Sequence, residues 1–305
     1  MSRKLTLILV LPILLLSACA KREPDTTKNN VFEVGGKRNE KNSTLVSNPP
    51  PKPPPLMNGS LEYTPSHVGL KLPKNRGIHS FPSKNTPGMV ALTIDVETNG
   101  KISELLDALK EQNVKMTFFI CGSWGSRNRE LLKRIADEGH EFGNHTLTHA
   151  WLTRKSESEI RAELENLEKI VFDATGKTTK PYFRPPYGAN NAKVNKIASD
   201  LGWRNVLWNA TAGDAQFPRP SKERVTRNIM ALRAGSIYLC HSFVDSSVDA
   251  LIASLPKLKE KGLQPVTLSE LMQTHLNSLA AEQTAKANVA TNTQKTVLSP
   301  PKAQR

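Results

Sequence analysis

An α/β fold with a mainly parallel sheet is predicted by three features of residues 89–275. Short apolar runs alternate with amphipathic stretches, cap and turn residues separate them, and unusual polar residues gather just after the apolar runs. The run 90–94 reads as the first strand, and the pattern over 102–112 predicts a helix. A strand over 115–120 and a helix over 127–138 follow. Ser156 opens the sequence S-E-S-E, an N-cap signal, and its helix is expected to reach about 174 with Gly176 just past the end. Further strands are predicted at 182–184, 204–208 and 236–241, with helices at 192–201, 222–234 and 248–260. Such alternation implies covering helices on a parallel sheet, either a barrel or a doubly wound sheet. In both, chemistry collects where strands end and loops begin.

The flanks are different in kind. Of the 305 residues, 38% are hydrophobic and 6% aromatic, with 21 prolines, which is too little core material for a chain folded throughout. Arg3 and Lys4 precede the apolar run Leu5 to Leu16, which is followed by Ser17, Ala18 and Cys19. This reads as an export signal, 1–18. The tetrapeptide Leu16-Ser17-Ala18-Cys19 resembles the bacterial lipobox, in which the cysteine becomes the lipidated first residue. An ordinary secretory signal with an incidental cysteine is the alternative. Residues 19–86 are rich in Lys, Asn, Ser and Pro and contain Pro49-Pro50-Pro51-Lys52-Pro53-Pro54-Pro55, so a disordered, stiffened stalk is expected there. Residues 277–305 carry no apolar face and are expected to be a disordered tail. Roughly 190 residues, 87–276, remain for one domain.

Three cysteines exclude a disulfide-stapled scaffold and supply no zinc-finger cluster. With Cys19 lipidated, Cys121 and Cys240 are read as free buried thiols, with a pairing of the two in an oxidising envelope as the alternative. The net charge of +14 favours an anionic partner, and export to the envelope argues against that partner being nucleic acid.

The polar residues at the strand ends form five groups. Thr93-Ile94-Asp95-Val96-Glu97 closes the first strand, and because i and i+2 share a side of extended backbone, Asp95 and Glu97 can share one site. A solvated acidic loop is the plainer alternative. In Asn144-His145-Thr146-Leu147-Thr148-His149 the two histidines, four apart, would fall on one face of a helical turn, a spacing that suits a divalent metal. Chance surface histidines are the alternative there. Phe183-Arg184-Pro185-Pro186-Tyr187-Gly188 reads as a rigid loop with Tyr187 carrying the nearest free N–H, or as a simple turn. Trp208 to Asp214 and Gly235 to His241 complete the set, with a capping aspartate and a structural histidine as the plain readings.

These five motifs, in this order over residues 89–275, resemble the polysaccharide deacetylases of carbohydrate esterase family 4. His145-x-x-x-His149 and Arg184-Pro185-Pro186-Tyr187-Gly188 carry the resemblance most specifically. The resemblance implies a distorted (β/α) barrel of about seven strands and a divalent metal, zinc first, with Co2+, Mn2+ or Ni2+ as alternatives. It implies hydrolysis of N-acetyl groups on a sugar polymer. It also implies roles: His145 and His149 hold the metal, Asp95 is the base, and Arg184 orients that base. The metal and the Tyr187 N–H share the oxyanion, His241 is the acid, and Asp214 holds that histidine.

The chain departs from the family pattern twice. The usual aspartate ligand directly after the base is Val96, so Glu97, one residue later, is assigned as third ligand. A groove-wall tryptophan is replaced by Ala215, with Phe217 close enough in sequence to substitute. The resulting expectation is a monomeric, lipid-anchored envelope enzyme, in the outer membrane if the cell has two membranes. Its expected substrate is the N-acetylglucosamine of peptidoglycan, with other N-acetylated glycans such as chitin oligomers or an exported polysaccharide as alternatives. A non-catalytic glycan-binding lipoprotein with a degenerate metal site is the second reading. A structural wall linker, the third, would need no histidine constellation.

Overall fold

The computed structural model describes residues 76–297. The signal 1–18, Cys19, the stalk up to 75 and residues 298–305 lie outside the described residues. Among the described residues no helix is long and apolar enough to cross a membrane.

The chain runs β1 (Met89–Val96), α1 (Ile102–Glu111), β2 (Thr117–Ile120), α2 (Gly122–Gly125), α3 (Arg129–Asp137) and β3 (Glu141–Asn144). It continues through α4 (Glu157–Thr175), β4 (Tyr182–Phe183), α5 (Ala192–Asp200), β5 (Arg204–Asn205) and β6 (Ala210–Thr211). It ends with α6 (Lys222–Met230), β7 (Ile237–His241), α7 (Asp245–Glu260), β8 (Gln264–Val266) and α8 (Leu268–Val297). The helix expected from Ser156 has its capping box: Ser156 and Glu159 each bond the other's backbone N–H, and Gly176 closes the helix in the left-handed region.

Seven parallel strands, in the order β5-β4-β3-β2-β1-β7-β6, form a curled half-barrel, and β8 pairs with the start of β1. The segment before β1 ties the two flanks together. Ile78 bridges Val206 beyond β5, and Ser80 bridges Ser236 at the start of β7. Ile78 and Phe81 are buried in the core, so the packed chain begins ahead of the expected boundary at 87.

Alternation along the strands sorts side chains into two layers. In β1, Val90, Leu92, Ile94 and Val96 are fully buried against residues of α1 and α7, including Ile102, Leu105, Val248 and Leu251. Ala91, from the other face of β1, packs with Phe119, Tyr182, Val206 and Ile237, a layer plugged by Leu268, Leu271, Met272 and Leu276 of α8. The inner face carries the polar groups that follow: Asp95 on β1, Arg184 just past β4 and His241 at the end of β7. Gly143 on β3 is small for a reason: a Cβ there would stand 2.4 Å from the ring of Phe119.

The last helix differs from the expectation of a disordered tail from 277. Residues 277–297 continue α8 as helix. From Ala281 to Val289 its side chains are exposed apart from Glu282, which pairs with Lys84. Alanine-rich sequence without Gly or Pro sustains helix even where nothing apolar is buried, which is why hydrophobic periodicity missed it.

Candidate active site

At the carboxyl ends of the strands the structure brings together all the residues picked from the sequence. Asp95 sits on β1 level with His241 on the neighbouring β7. The carboxylate of Asp95 accepts from Arg184 Nη1 at 2.7 Å. Arg184 is wholly buried; its Nε and Nη2 donate to the carbonyls of Val206 and Leu207, and its guanidinium carbon sits over the Phe119 ring, 4.0 Å from the centroid. Burial draws the guanidinium pKa down, and the Asp95 charge opposes that. Such a pair keeps its charges only because both partners are present and the remaining donors are satisfied.

Glu97 stands beside the two histidines. Its Oε1 lies 2.9 Å from His149 Nε2 and 3.6 Å from His145 Nε2. Burial pushes its carboxyl pKa up, but the two neighbouring histidines outweigh this and hold it far below the usual range. Ser242 Oγ accepts from the N–H groups of Glu97 and Thr98 at 3.1 and 3.2 Å, fixing the backbone that presents the carboxylate. Val96 is 0% exposed and belongs to the layer under the helices. The Val96 side chain is therefore turned to that apolar layer, and the carboxylate beside the histidines is that of Glu97.

The histidines do not lie on a helical turn. Residues 145–150 are irregular, and Thr146 and His149 have φ of 67° and 59°. Among the described residues, three of the four non-glycine residues with positive φ (Thr146, His149 and Tyr187) lie in the two loops of this site. Such conformations persist where the surroundings force them. Glu163 of α4 does the forcing here: its carboxylate accepts from Thr148 N at 2.9 Å and Thr148 Oγ1 at 2.6 Å. Asn144 adds a bond from Thr146 N to its Oδ1 at 3.0 Å. Sequence reasoning missed both Glu163 and Ser242. Glu163 is hidden among helix glutamates, and Ser242 has the sequence context of an ordinary loop serine.

The donor set fits a divalent ion. His145 Nδ1 is 2.8 Å from the Arg184 carbonyl, which can only accept, so Nδ1 carries the proton and Nε2 has the lone pair. That Nε2 is buried without a hydrogen-bond partner and faces the carboxylates of Asp95 and Glu97 at 3.5 and 3.6 Å. A cation resolves this arrangement: two imidazole nitrogens and one carboxylate, Glu97, His145 and His149, lie within 4.8 Å of one another.

On the far side of Asp95, His241 Nδ1 meets Asp214 Oδ1 at 2.7 Å, and His241 N donates to Asp214 Oδ2 at 2.9 Å. Burial lowers the histidine's pKa, but Asp214, Asp95 and Glu97 together raise it above its ordinary 6.5. For Asp214, burial pushes upward and the bond to His241 outweighs it, leaving the carboxyl below its usual range. Two aromatic groups flank the centre. Tyr187, with φ 62°, stacks on Trp151 at 4.2 Å and brings its hydroxyl 3.2 Å from His149 Nδ1. Phe243 packs on His241 at 4.9 Å. Cys121 and Cys240 are buried free thiols.

Known proteins resemble this chain in sequence and fold. The polysaccharide deacetylase family model matches residues 83–206. A peptidoglycan-N-acetylglucosamine deacetylase of Bacillus cereus is 35% identical over 202 residues, covering 64% of this chain and 72% of that protein. The chain belongs to the polysaccharide deacetylase family. Bacillus subtilis PdaA, a peptidoglycan-N-acetylmuramic acid deacetylase, is 33% identical over 176 residues, 57% of this chain and 67% of that one. Its solved structure, at 31% identity, superposes with a TM-score of 0.61 over 65% of this chain and 86% of that one. A pseudoenzyme of the same family from Bacillus anthracis gives 31% identity and a TM-score of 0.60, covering 65% and 69% of the two chains. The chain matches the Listeria monocytogenes deacetylase PgdA at 34% identity over 66% of its own length, but spans only 42% of that relative.

Two substitutions separate the candidate ligands. Glu97→Ala is expected to weaken zinc binding as severely as His145→Ala, measured by titration calorimetry. Val96→Asp is expected to give no gain in zinc affinity and to lower stability by about 3–5 kcal/mol, because it buries an unpaired carboxylate. Unchanged affinity in Glu97→Ala with a gain in Val96→Asp would refute the assignment.

Proposed function

We propose that the chain is a metal-dependent N-deacetylase of peptidoglycan, hydrolysing the acetamido group of its amino sugars to acetate and a free amine. One observation carries the reading: a three-ligand cluster lies beside two proton carriers that each have a partner of their own, Asp95 held by Arg184 and His241 held by Asp214. Glu97, His145 and His149 would hold a divalent ion, which would supply positive charge to polarise the acetyl carbonyl and ease deprotonation of water. The protons are moved by the chain's own groups. Asp95, its carboxylate oriented by Arg184, takes a proton from the attacking water. His241, with Nδ1 engaged by Asp214, gives the proton on Nε2 to the nitrogen as the amide C–N bond breaks, since a neutral amine leaves more readily than an amide anion. The Tyr187 N–H is the protein donor assigned to the oxyanion.

A second reading, a non-catalytic glycan binder, is favoured by the likeness to a family pseudoenzyme. Against it stands the completeness of both ion pairs. A site that only binds sugar has no need of a buried base with its own guanidinium.

The deciding experiment is acetate release from peptidoglycan. Asp95→Asn is expected to keep its metal and lose turnover by about 10²–10⁴. Because His241 must carry a proton and its pKa is raised, wild-type turnover is expected to persist above pH 6.5 and to fall at higher pH. Asp214→Asn removes an anion from the histidine and shifts that alkaline fall to lower pH. Near-normal turnover in Asp95→Asn would end the catalytic reading.

The same proposal places the protein in the cell envelope, anchored through lipidated Cys19, on the strength of the Leu16-Ser17-Ala18-Cys19 sequence. Cys19→Ser is expected to move the protein from the membrane fraction to the soluble one. Unchanged sedimentation with membranes would contradict the anchor.

A further inference from the structure

The loop following β6 carries a feature that the reaction does not use. Phe217 is 83% exposed, the most exposed large hydrophobic residue described. Beside it, the Arg219 guanidinium carbon lies 4.6 Å from the Phe217 ring centroid and 4.8 Å from that of Phe243. Phe243 in turn packs on His241. Arg219 Nη1 donates to the backbone carbonyl of Asp214, the residue that holds His241. Arg219 is thus an exposed cation clamped between two rings, two contacts from the proposed acid. Among the described residues, no acidic side chain forms an ion pair with it.

This arrangement has a chemical meaning. A guanidinium stacked on rings has its flat faces occupied and its N–H edge left to donate, in a geometry that matches the two oxygens of a carboxylate. Stacking also holds the side chain still, so less rotamer freedom is lost when a ligand arrives. A purely structural tie between Arg219 and the Asp214 carbonyl would need only one of the five donors, and would not require a phenyl ring in solvent.

We infer that Arg219, clamped by Phe217 and Phe243, recognises a carboxylate on the glycan next to the acetamido group under attack. The chain would thereby prefer anionic N-acetylated glycans over neutral ones. The inference rests on the deacetylase reading and names the substrate class for that site. The carboxylate has two sources in a peptidoglycan: the lactyl ether of the muramoyl sugar where it carries no peptide, or the acidic groups of an attached peptide.

The test uses the chain and three substrates of matched length. These are a chitin tetrasaccharide, an alternating N-acetylglucosamine–N-acetylmuramic acid tetrasaccharide without peptides, and the same tetrasaccharide carrying peptides. Arg219→Ala is expected to lower the anionic-to-neutral ratio of kcat/KM about tenfold, through KM. Arg219→Lys should recover part of the ratio. Lys177→Ala, which removes a charge from the exposed end of α4, should leave the ratio intact. A loss confined to the peptide-free glycan assigns the lactyl carboxylate, and one confined to the peptide-bearing glycan assigns the peptide. An unchanged ratio, or a kcat that falls equally on all three substrates, would overturn the inference, the latter by showing that Arg219 merely supports Asp214. Calorimetric binding of the same glycans in an Asp95→Asn background reads the discrimination without turnover. Equal affinities with and without Arg219 there would also overturn it. Discrimination in binding with no acetate release from the wild type would count against the deacetylase reading alone.

Discussion

The alternation of side chains along β1 is the constraint on which the rest of the site depends. Val90, Leu92, Ile94 and Val96 must face the helices, since they are the strand's contribution to the larger apolar cluster. That obligation leaves Asp95 and, one residue past the strand, Glu97 on the opposite side with the histidines. Position 96 is consequently a packing position, and its valine is consistent with a working site. The carboxylate beside the histidines comes from Glu97, whose extra methylene over aspartate gives it reach.

Around that strand the protein buries charge only in matched sets. Asp95 and Arg184 share a 2.7 Å contact in the interior, and the other guanidinium donors are taken up by the Val206 and Leu207 carbonyls. Asp214 divides its two oxygens between the ring and the backbone N–H of His241. Each pairing leaves one group presented toward the cluster while its partner holds its orientation. Removing either member would strand an uncompensated charge, so these pairs are costly to keep for any purpose other than chemistry. The strained backbone is concentrated in the same place, at Thr146, His149 and Tyr187, and the histidine loop is held there by Glu163 and Asn144.

Much of this was legible in the sequence because it follows from period and position. The βα alternation, the capping box at Ser156 and Glu159, and the two-residue offset of Asp95 and Glu97 are local patterns with local causes. The five polar motifs could be assigned to one site because parallel strands deliver their carboxyl ends to one edge. Other features depended on tertiary forces. The His145–His149 spacing suggested a helical turn, but the loop is shaped by Asn144 and by Glu163, which reaches it from a separate helix. Strands as short as Ala210–Thr211 and Gln264–Val266 carry too few residues to show a period. The continuation of α8 past 280 reflects backbone propensity, its side chains from Ala281 to Val289 being exposed apart from Glu282, which a search for apolar faces does not detect.

The claim that Glu97 completes a metal site with His145 and His149 is tested most directly by diffraction from zinc-soaked crystals at the zinc absorption edge. The account predicts one strong anomalous peak about 2.0–2.2 Å from Glu97 Oε1, His145 Nε2 and His149 Nε2, beside but not replacing the Asp95–Arg184 contact. A peak bound by the histidines with Glu97 turned away, or no peak among these three side chains, would contradict it.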